Sequence, residues 1–159
     1  PSSADDFVSI KNNNVSVQDE ILKSIPMGGT PISPSLCDVF WLFKNHRFLV
    51  KKTLTNTGDP YAKCRARNVL LITDGRPTMG EGEFNYPTSV KSAEKLFKFG
   101  HKVYVVGFNL GAGVASIVND IAKAGGTEQA HIAKSAALGP SSFEPIRKPL
   151  TDALRCELA

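Results

Sequence analysis

One segment constrains the fold of this chain more than any other. Residues 69–72, Val-Leu-Leu-Ile, form a continuous apolar run that ends abruptly in the polar turn Thr73-Asp74-Gly75. A half-buried strand alternates apolar and polar residues, whereas a continuous run is typical of a strand covered on both faces in a parallel α/β sheet. The run therefore predicts a buried strand with Asp74 at its carboxyl end.

Helical and strand patterns alternate after this segment. In residues 88–99, apolar side chains recur at helical spacing, lysines fill the opposite face, and Gly100 stands where a helix C-cap belongs. The predicted elements are a helix over residues 88–99, a strand over 101–108, a helix over 114–124, a short strand over 129–133 and a last helix over 141–158.

This order of elements predicts the α/β fold class. Repeated strand-helix-strand units form right-handed crossovers, which build a doubly wound, mainly parallel sheet flanked by helices, as in Rossmann-like folds. Ligands of such sheets bind beyond the carboxyl ends of the strands. We therefore expect a binding site near the turn Thr73-Asp74-Gly75.

The half of the chain before this strand is less regular. We predict a helix over residues 15–25, a loop over 26–31, a helix over 35–44 and an exposed connection over 45–67. Ser33 or Ser35 is expected to cap the second of these helices, and Pro34 suits its first turn. Trp41, on the same helix, is a candidate for an exposed recognition side chain, but a position in the core is favoured.

The composition fits a single globular domain over residues 1–159. Hydrophobic residues make up 42% and charged residues 21%, which excludes disordered and fibrous classes. The net charge of +4 is spread along the chain, so no nucleic-acid partner is predicted. No apolar run approaches the roughly 20 residues of a membrane span. A P-loop ATPase and a zinc site are also excluded, because the phosphate-binding motif and paired cysteines are missing from the sequence.

Two oxygen-bearing side chains are the candidate cation ligands. Thr30 lies in the loop Gly28-Gly29-Thr30-Pro31, whose glycines permit a close backbone turn, and Asp74 follows the predicted strand. A hydroxyl and a carboxylate are hard donors, of the kind that magnesium, manganese or calcium accepts. An aspartate after a strand is equally compatible with a simple capped turn, so that alternative stays open.

Three further candidate residues lie in the loop after this strand, namely Glu81, Glu83 and Tyr86. Paired carboxylates can act as acid and base. The glycines that flank them favour an exposed loop instead, so we predict that all three residues shape the rim of the site and that none is catalytic. Phe84 and Tyr86 are also candidates for recognition of a ligand.

Together, these residues resemble the von Willebrand factor A family. Its metal-ion-dependent adhesion site combines an Asp-x-Ser-x-Ser turn, a threonine in a separate loop and an aspartate that opens a Thr-Asp-Gly turn. Thr30 matches the loop threonine and Asp74 matches the last aspartate. The order of strands and helices also fits this family from Val15 onward.

Four segments are similar to the A domain of PilY/PilC-type proteins, which are large surface proteins of bacterial type IV pili implicated in pilus biogenesis, adhesion and surface sensing. They are residues 29–36, 40–45, 59–61 and 64–65. The resemblance implies a binding module rather than an enzyme, exported to the cell surface and associated with pili. Export makes a disulfide plausible, and Cys37 and Cys64 are the favoured pair.

The resemblance also implies a mechanism. A divalent cation held by Thr30 and Asp74, in loops shaped by Gly28, Gly29 and Gly75, keeps an open coordination position that an acidic residue of a partner completes. The implied partners are a protein with an exposed acidic residue or the pilins of the pilus.

One part of the family pattern is missing. No Asp-x-Ser-x-Ser occurs in the sequence, and the family places that motif on its first, central strand. The chain is therefore expected to be the C-terminal part of an A domain, to lack the strand beside residues 69–72, and to bind metal weakly. Two alternatives remain open. The first is an assembly or mechanosensing module with a vestigial metal site, and the second is a metal-dependent hydrolase that uses Asp74 with Glu81 and Glu83.

Overall fold

The computed structural model describes residues 28–46 and 67–133, together with the single positions 15, 19, 22, 23, 49 and 147. Most of the predicted last helix over residues 141–158 lies outside the described residues, although its one described position, 147, is helical. Most of the connection over 45–67 also lies outside them. Most of the predicted helix over residues 15–25 also lies outside them, but its four described positions are helical.

Helices and strands alternate in the described part of the chain, as the sequence predicts. The elements are α1 (Ile32–Asn45), β1 (Val69–Thr73), α2 (Ser89–Lys98), β2 (Val103–Phe108), α3 (Ala112–Ala124) and β3 (His131–Ala133). The Thr88 hydroxyl accepts a hydrogen bond at the start of α2, and Gly125 is the C-cap of α3. Local sequence signals therefore set these helix ends.

The described strands form an open parallel sheet in the order β1-β2-β3. Val69 of β1 lies opposite Val103 of β2, and Val106 of β2 lies opposite His131 of β3. The α/β class and the parallel crossover units are thus confirmed. The architecture is a small parallel sheet flanked by helices, which is compatible with Rossmann-like folds.

One face of the sheet packs against the three described helices. α2 lies between α1 and α3 and contacts both. The largest fully buried apolar side chains come from all three helices and from the central strand, and they are Leu36, Leu96, Val103, Val105, Val106, Val118 and Ile121. Burial of each such side chain contributes about 1.5–3 kcal/mol. All of them except Val106 belong to the layer between the sheet and the helices.

β1 is more exposed than its apolar sequence predicts. Val69 and Leu71 pack against the helical layer, but Leu70 and Ile72 on the opposite face are 39% and 59% exposed. The prediction of a strand buried on both faces is therefore wrong for β1. The reason is that β1 is an edge of the described sheet and that the described helices pack on the other face.

The start of α1 also differs from the prediction. The helix begins at Ile32, its N-cap is Pro31, and no side chain caps it, so neither Ser33 nor Ser35 is the cap. The Ser33 side chain is buried instead, and the Ser35 hydroxyl donates a hydrogen bond to the Pro31 carbonyl oxygen (2.8 Å). Pro34 lies in the first turn, as expected.

Trp41 lies on the surface of α1, with 64% of its area exposed. The prediction that it belongs to the core is wrong. Successive residues of a helix point in directions about 100° apart. Because Leu36, Phe40 and Phe43 turn toward the core, the neighbouring Trp41 is directed to solvent.

Candidate binding site at the carboxyl ends of the strands

Two loops that are far apart in sequence meet beyond the end of β1. The Thr30 N–H donates a hydrogen bond to the Thr78 hydroxyl oxygen (2.7 Å), and the Thr78 N–H donates one to the Thr30 carbonyl oxygen (3.1 Å). This reciprocal pair fixes the loop before α1 to the loop after β1. The structure thus brings together the two loops that carry Thr30 and Asp74.

Gly29 permits this close approach. A Cβ atom at position 29 would lie 2.6 Å from the Thr78 hydroxyl oxygen and 2.8 Å from Cγ of Met79, which is too close for any side chain. Gly28 has a φ of +81°, a conformation that glycine adopts without strain. The close approach of the two loops therefore favours glycine at position 29, and the positive φ favours glycine at position 28.

Thr30 and Gly75 are close neighbours. The Cβ position of Gly75 lies 3.4 Å from the Thr30 hydroxyl oxygen, so this hydroxyl lies beside the turn that carries Asp74. Asp74 itself is exposed. The two predicted cation ligands consequently lie on adjoining loops at the same edge of the sheet, where parallel α/β folds bind ligands.

Thr73 shapes the turn that presents Asp74, a role that the sequence analysis did not assign. It is 7% exposed, its hydroxyl donates a hydrogen bond to the Gly75 carbonyl oxygen (2.9 Å), and it accepts one from the Gly75 N–H (3.3 Å). A hydroxyl residue directly before an Asp-Gly pair was the available signal, because threonine side chains often bond to the backbone of turns.

The donors present fit a hard divalent cation in kind but are few in number. Thr30 and Asp74 both offer oxygen, which magnesium and calcium prefer. No three His, Cys, Asp or Glu residues within the described ranges form a metal-binding group. Since magnesium takes about six ligands, two protein oxygens would leave most positions to water or to a partner.

Glu81 has a structural role that the sequence analysis did not assign. Its carboxylate accepts hydrogen bonds from the Ser89 N–H at 2.9 and 3.2 Å and from the Ser89 hydroxyl. Ser89 is the first residue of α2, so Glu81 caps this helix and places a negative charge at its N-terminus, which is favourable there. Glu81 is therefore a structural residue, which links the loop to the start of α2.

Glu83 and Tyr86 are exposed on the same loop, as expected for rim residues. The Tyr86 N–H donates a hydrogen bond to the Glu83 carbonyl oxygen (2.9 Å), which closes a tight turn. Phe84, within this turn, is 85% exposed. The loop thus presents polar and aromatic side chains to solvent beyond the end of β1.

A buried polar cluster joins α1, α2 and the end of this loop. The Ser33 hydroxyl donates a hydrogen bond to the Pro87 carbonyl oxygen and lies 2.9 Å from the Ser92 hydroxyl. Cys37 has a free thiol in the structure, 3.5 Å from the same Ser92 hydroxyl. Cys64 lies outside the described residues, so its pairing with Cys37 stays a prediction.

His101 lies away from these loops, just before β2. Its ring packs against Phe43 and Phe99, with centroids 4.1 and 5.6 Å away, and its Nδ1 donates to the Arg67 carbonyl oxygen (2.8 Å). Burial lowers the pKa of His101, and the Arg67 guanidinium lowers it further, against the effect of this hydrogen bond. Burial also lowers the pKa of His131 in β3.

The chain was compared with known proteins. A scan against protein-family models finds no match, and a search of curated proteins finds no significant match. Within the described part of the chain, no helix is both long enough and apolar enough to cross a membrane. A function therefore has to be inferred from the loop geometry and from the sequence resemblance.

Proposed function

We propose that this chain is part of a von Willebrand factor A-type binding module in a pilus-associated surface protein of the PilY/PilC type. In this proposal it recognises an acidic group of a partner protein through a divalent cation and is not an enzyme. The observation that carries the proposal is the reciprocal hydrogen bonding of Thr30 and Thr78, because it fixes the Thr30 hydroxyl beside the turn of Asp74.

Each residue of the two loops has a part in this proposal. Thr30 and Asp74 supply oxygen ligands, Gly29 lets the loops approach each other, and the Thr73 hydroxyl holds the turn that presents Asp74. A bound magnesium, manganese or calcium ion would attract a carboxylate to its open coordination position. Glu83 and Tyr86, which are exposed on the same loop, would form the rim and contact the partner.

The proposed surface location and partners rest on the sequence resemblance. Residues 29–36, which match the PilY/PilC-type pattern, contain the Thr30 loop and the first turn of α1. The partner would be a protein with an exposed acidic residue or a pilin. The position of β1 at an edge of the described sheet supports the related proposal that a further strand of the parent domain lies beside β1.

Magnesium binding tests the cation site. A longer version of the protein that carries an upstream Asp-x-Ser-x-Ser should melt at a higher temperature with magnesium, by an amount equivalent to about 2.7 kcal/mol at a hundredfold excess over Kd. Asp74→Asn and Thr30→Val should abolish this shift. Asp120→Asn, which removes an exposed carboxylate of α3, is the matched control and should leave the shift intact.

Two outcomes would contradict this proposal in different ways. Sub-micromolar magnesium binding by the present chain alone would show that its site is complete without the missing motif. A longer version that ignores magnesium would favour an assembly or mechanosensing module with a vestigial site, for which the exposed apolar face of β1 is the supporting observation. In that case Asp74→Asn should leave partner binding unchanged.

The hydrolase alternative has weaker support. It requires Glu81 or Glu83 as an acid or base, but the Glu81 carboxylate already accepts the hydrogen bonds of Ser89. Turnover of a generic phosphate or ester substrate that disappears in Glu83→Gln would establish it.

A further inference from the structure

The loop after β1 holds an aromatic residue in an unfavourable backbone conformation. Phe84 and Asn85 have φ angles of 51° and 67° and form the centre of the turn that the Tyr86 N–H closes. Positive φ at both central residues is the pattern of a type I′ turn, which favours Asn and Gly. Asn85 adopts this conformation readily, but for the bulky Phe84 it costs free energy.

Packing within the chain does not account for this conformation. The Phe84 side chain is 85% exposed, so it contributes little buried apolar area to folding. A less bulky residue would fit the turn better and would expose less apolar surface to water. Strained residues of this kind cluster at binding sites, where the surrounding structure holds them in place.

The loop is anchored on both sides of the turn. After the turn, the Pro87 carbonyl oxygen accepts a hydrogen bond from the Ser33 hydroxyl of α1, and before it two contacts with helices hold the loop. A Cβ atom at Gly80 would lie 2.6 Å from Cγ of Pro34, so the loop lies directly against the first turn of α1. Glu81 is bonded to Ser89 at the start of α2. Because the turn is already fixed, a partner that binds Phe84 loses little free energy to ordering the loop.

The neighbouring side chains indicate what such a partner carries. Tyr86, which closes the same turn, is 37% exposed and adds a second aromatic side chain two positions from Phe84. Glu83 adds an exposed carboxylate next to Phe84. An apolar surface beside a negative charge is complementary to an apolar side chain beside a positive one, whereas an anionic membrane surface would repel the carboxylate.

We propose that Phe84, together with Tyr86, binds a segment of a partner protein in which a large apolar residue stands beside a lysine or arginine. This contact goes beyond the proposed cation site, because it uses neither Thr30 nor Asp74. In this proposal, the unfavourable backbone conformation of Phe84 serves to present its side chain to the partner and does not contribute to folding.

The test is a selection of linear random-sequence peptides displayed on phage, carried out against the present chain in EDTA and again with magnesium. Enriched peptides should carry a large apolar residue beside Lys or Arg in both conditions. Phe84→Ala should weaken their binding at least tenfold, Phe84→Tyr should retain it, and Glu83→Gln should weaken it less. Trp41→Ala, which removes another exposed aromatic side chain, is the matched control and should have no effect.

Thermal melting distinguishes a role of Phe84 in binding from a role in folding. Phe84→Gly should raise the melting temperature, because glycine removes the strain at a φ of 51°. A lower melting temperature would mean that Phe84 supports the fold, which overturns the proposal. Four further outcomes would also overturn the proposal. The selection could enrich no peptides, or the enriched peptides could bind Phe84→Ala as well as the unchanged chain. Trp41→Ala could weaken binding as much as Phe84→Ala does, or the chain could bind anionic phospholipid vesicles in a way that depends on Phe84.

The same selection distinguishes this inference from the cation site. Peptide binding that requires magnesium and Asp74 but ignores Phe84 would overturn the inference and leave the proposed function standing. Binding that requires Phe84 in EDTA and is unchanged in Asp74→Asn would support the inference without the cation site.

Discussion

Gly29 lies where two loops approach each other more closely than a side chain allows. Sequence reasoning assigned it a role in loop geometry because two successive glycines precede a threonine and a proline. The structure supplies the physical reason, namely the hydroxyl of Thr78 and the side chain of Met79 on the opposite loop. Neither neighbour was visible from the local sequence, because they lie about 50 residues further along the chain.

We expect Gly29→Ala to lower the free energy of unfolding by about 1–3 kcal/mol, as overpacked substitutions do, and to weaken any cation binding by separating Thr30 from Asp74. Gly113→Ala is the matched control. Apart from the adjoining residues and the backbone of α3 itself, no atom lies within 4 Å of its Cβ position, and there alanine should stabilise by about 0.4–1 kcal/mol. Urea denaturation measures both, and equal effects of the two substitutions would contradict this prediction.

His101 should make folding stability depend on pH. Its pKa in the folded protein is lowered from 6.5 by burial and by Arg67, so the unfolded chain takes up a proton first as the pH falls. The contribution of the neutral His101 to the free energy of unfolding is therefore complete above pH 6.5, and it is lost as the pH falls from 6.5 through the pKa of His101 in the folded protein. His101→Phe should flatten the dependence of unfolding free energy on pH in this window, and an unchanged slope would contradict the prediction.

At the scale of the elements, side chains that lie outside α2 stabilise the N-terminal end of this helix. Thr88 caps the helix, as a sequence can predict, since the hydroxyl lies directly before the helical pattern. Glu81 adds a second cap from eight residues before Ser89, a spacing that no helix-capping signature includes. The loop and the helix therefore stabilise each other, and the loop needs no contact with a ligand to be ordered.

Removal of this second cap should be measurable. Glu81→Ala should lower the free energy of unfolding by about 1–2 kcal/mol, the usual cost of a lost helix cap, and should speed amide exchange at the start of α2. Glu83→Ala, two positions away and exposed, should stay within about 0.5 kcal/mol of the wild type. Comparable losses in both variants would show that Glu81 is not a cap.

At the scale of the whole molecule, the sheet is asymmetric. The described helices cover one face and bury Val103 and Val105, whereas the opposite face at β1 leaves Ile72 59% exposed. The continuous apolar sequence of β1 fits an environment that is covered on both faces. This mismatch supports the proposal that a further segment of a longer protein covers this face of β1.

Adjacent residues of β1 allow a direct test of this asymmetry. Leu71→Thr should cost about 1–3 kcal/mol, since Leu71 packs against the helical layer. Ile72→Thr should change the stability of this chain by no more than about 0.5 kcal/mol and should reduce its self-association at high concentration, measured by analytical ultracentrifugation. A longer version in which Ile72→Thr becomes strongly destabilising would support such a covering segment, and equal costs of the two substitutions in the present chain would contradict the asymmetry.

The sequence by itself determined the alternation of strands and helices, the parallel α/β class and the two loops to search for a site. These properties follow from the spacing of apolar residues and from glycine and threonine signals within a few positions of each other. The tertiary structure decided which side chains are buried and which hydrogen-bond partners they have, because local sequence patterns do not contain this information. It exposed Trp41 and Ile72, and it buried Ser33 against Pro87, 54 residues away. It also made Glu81 a cap of α2 from a position outside the helix. Burial and the choice of hydrogen-bond partner depend on which distant segments pack together, and that is a property of the whole chain.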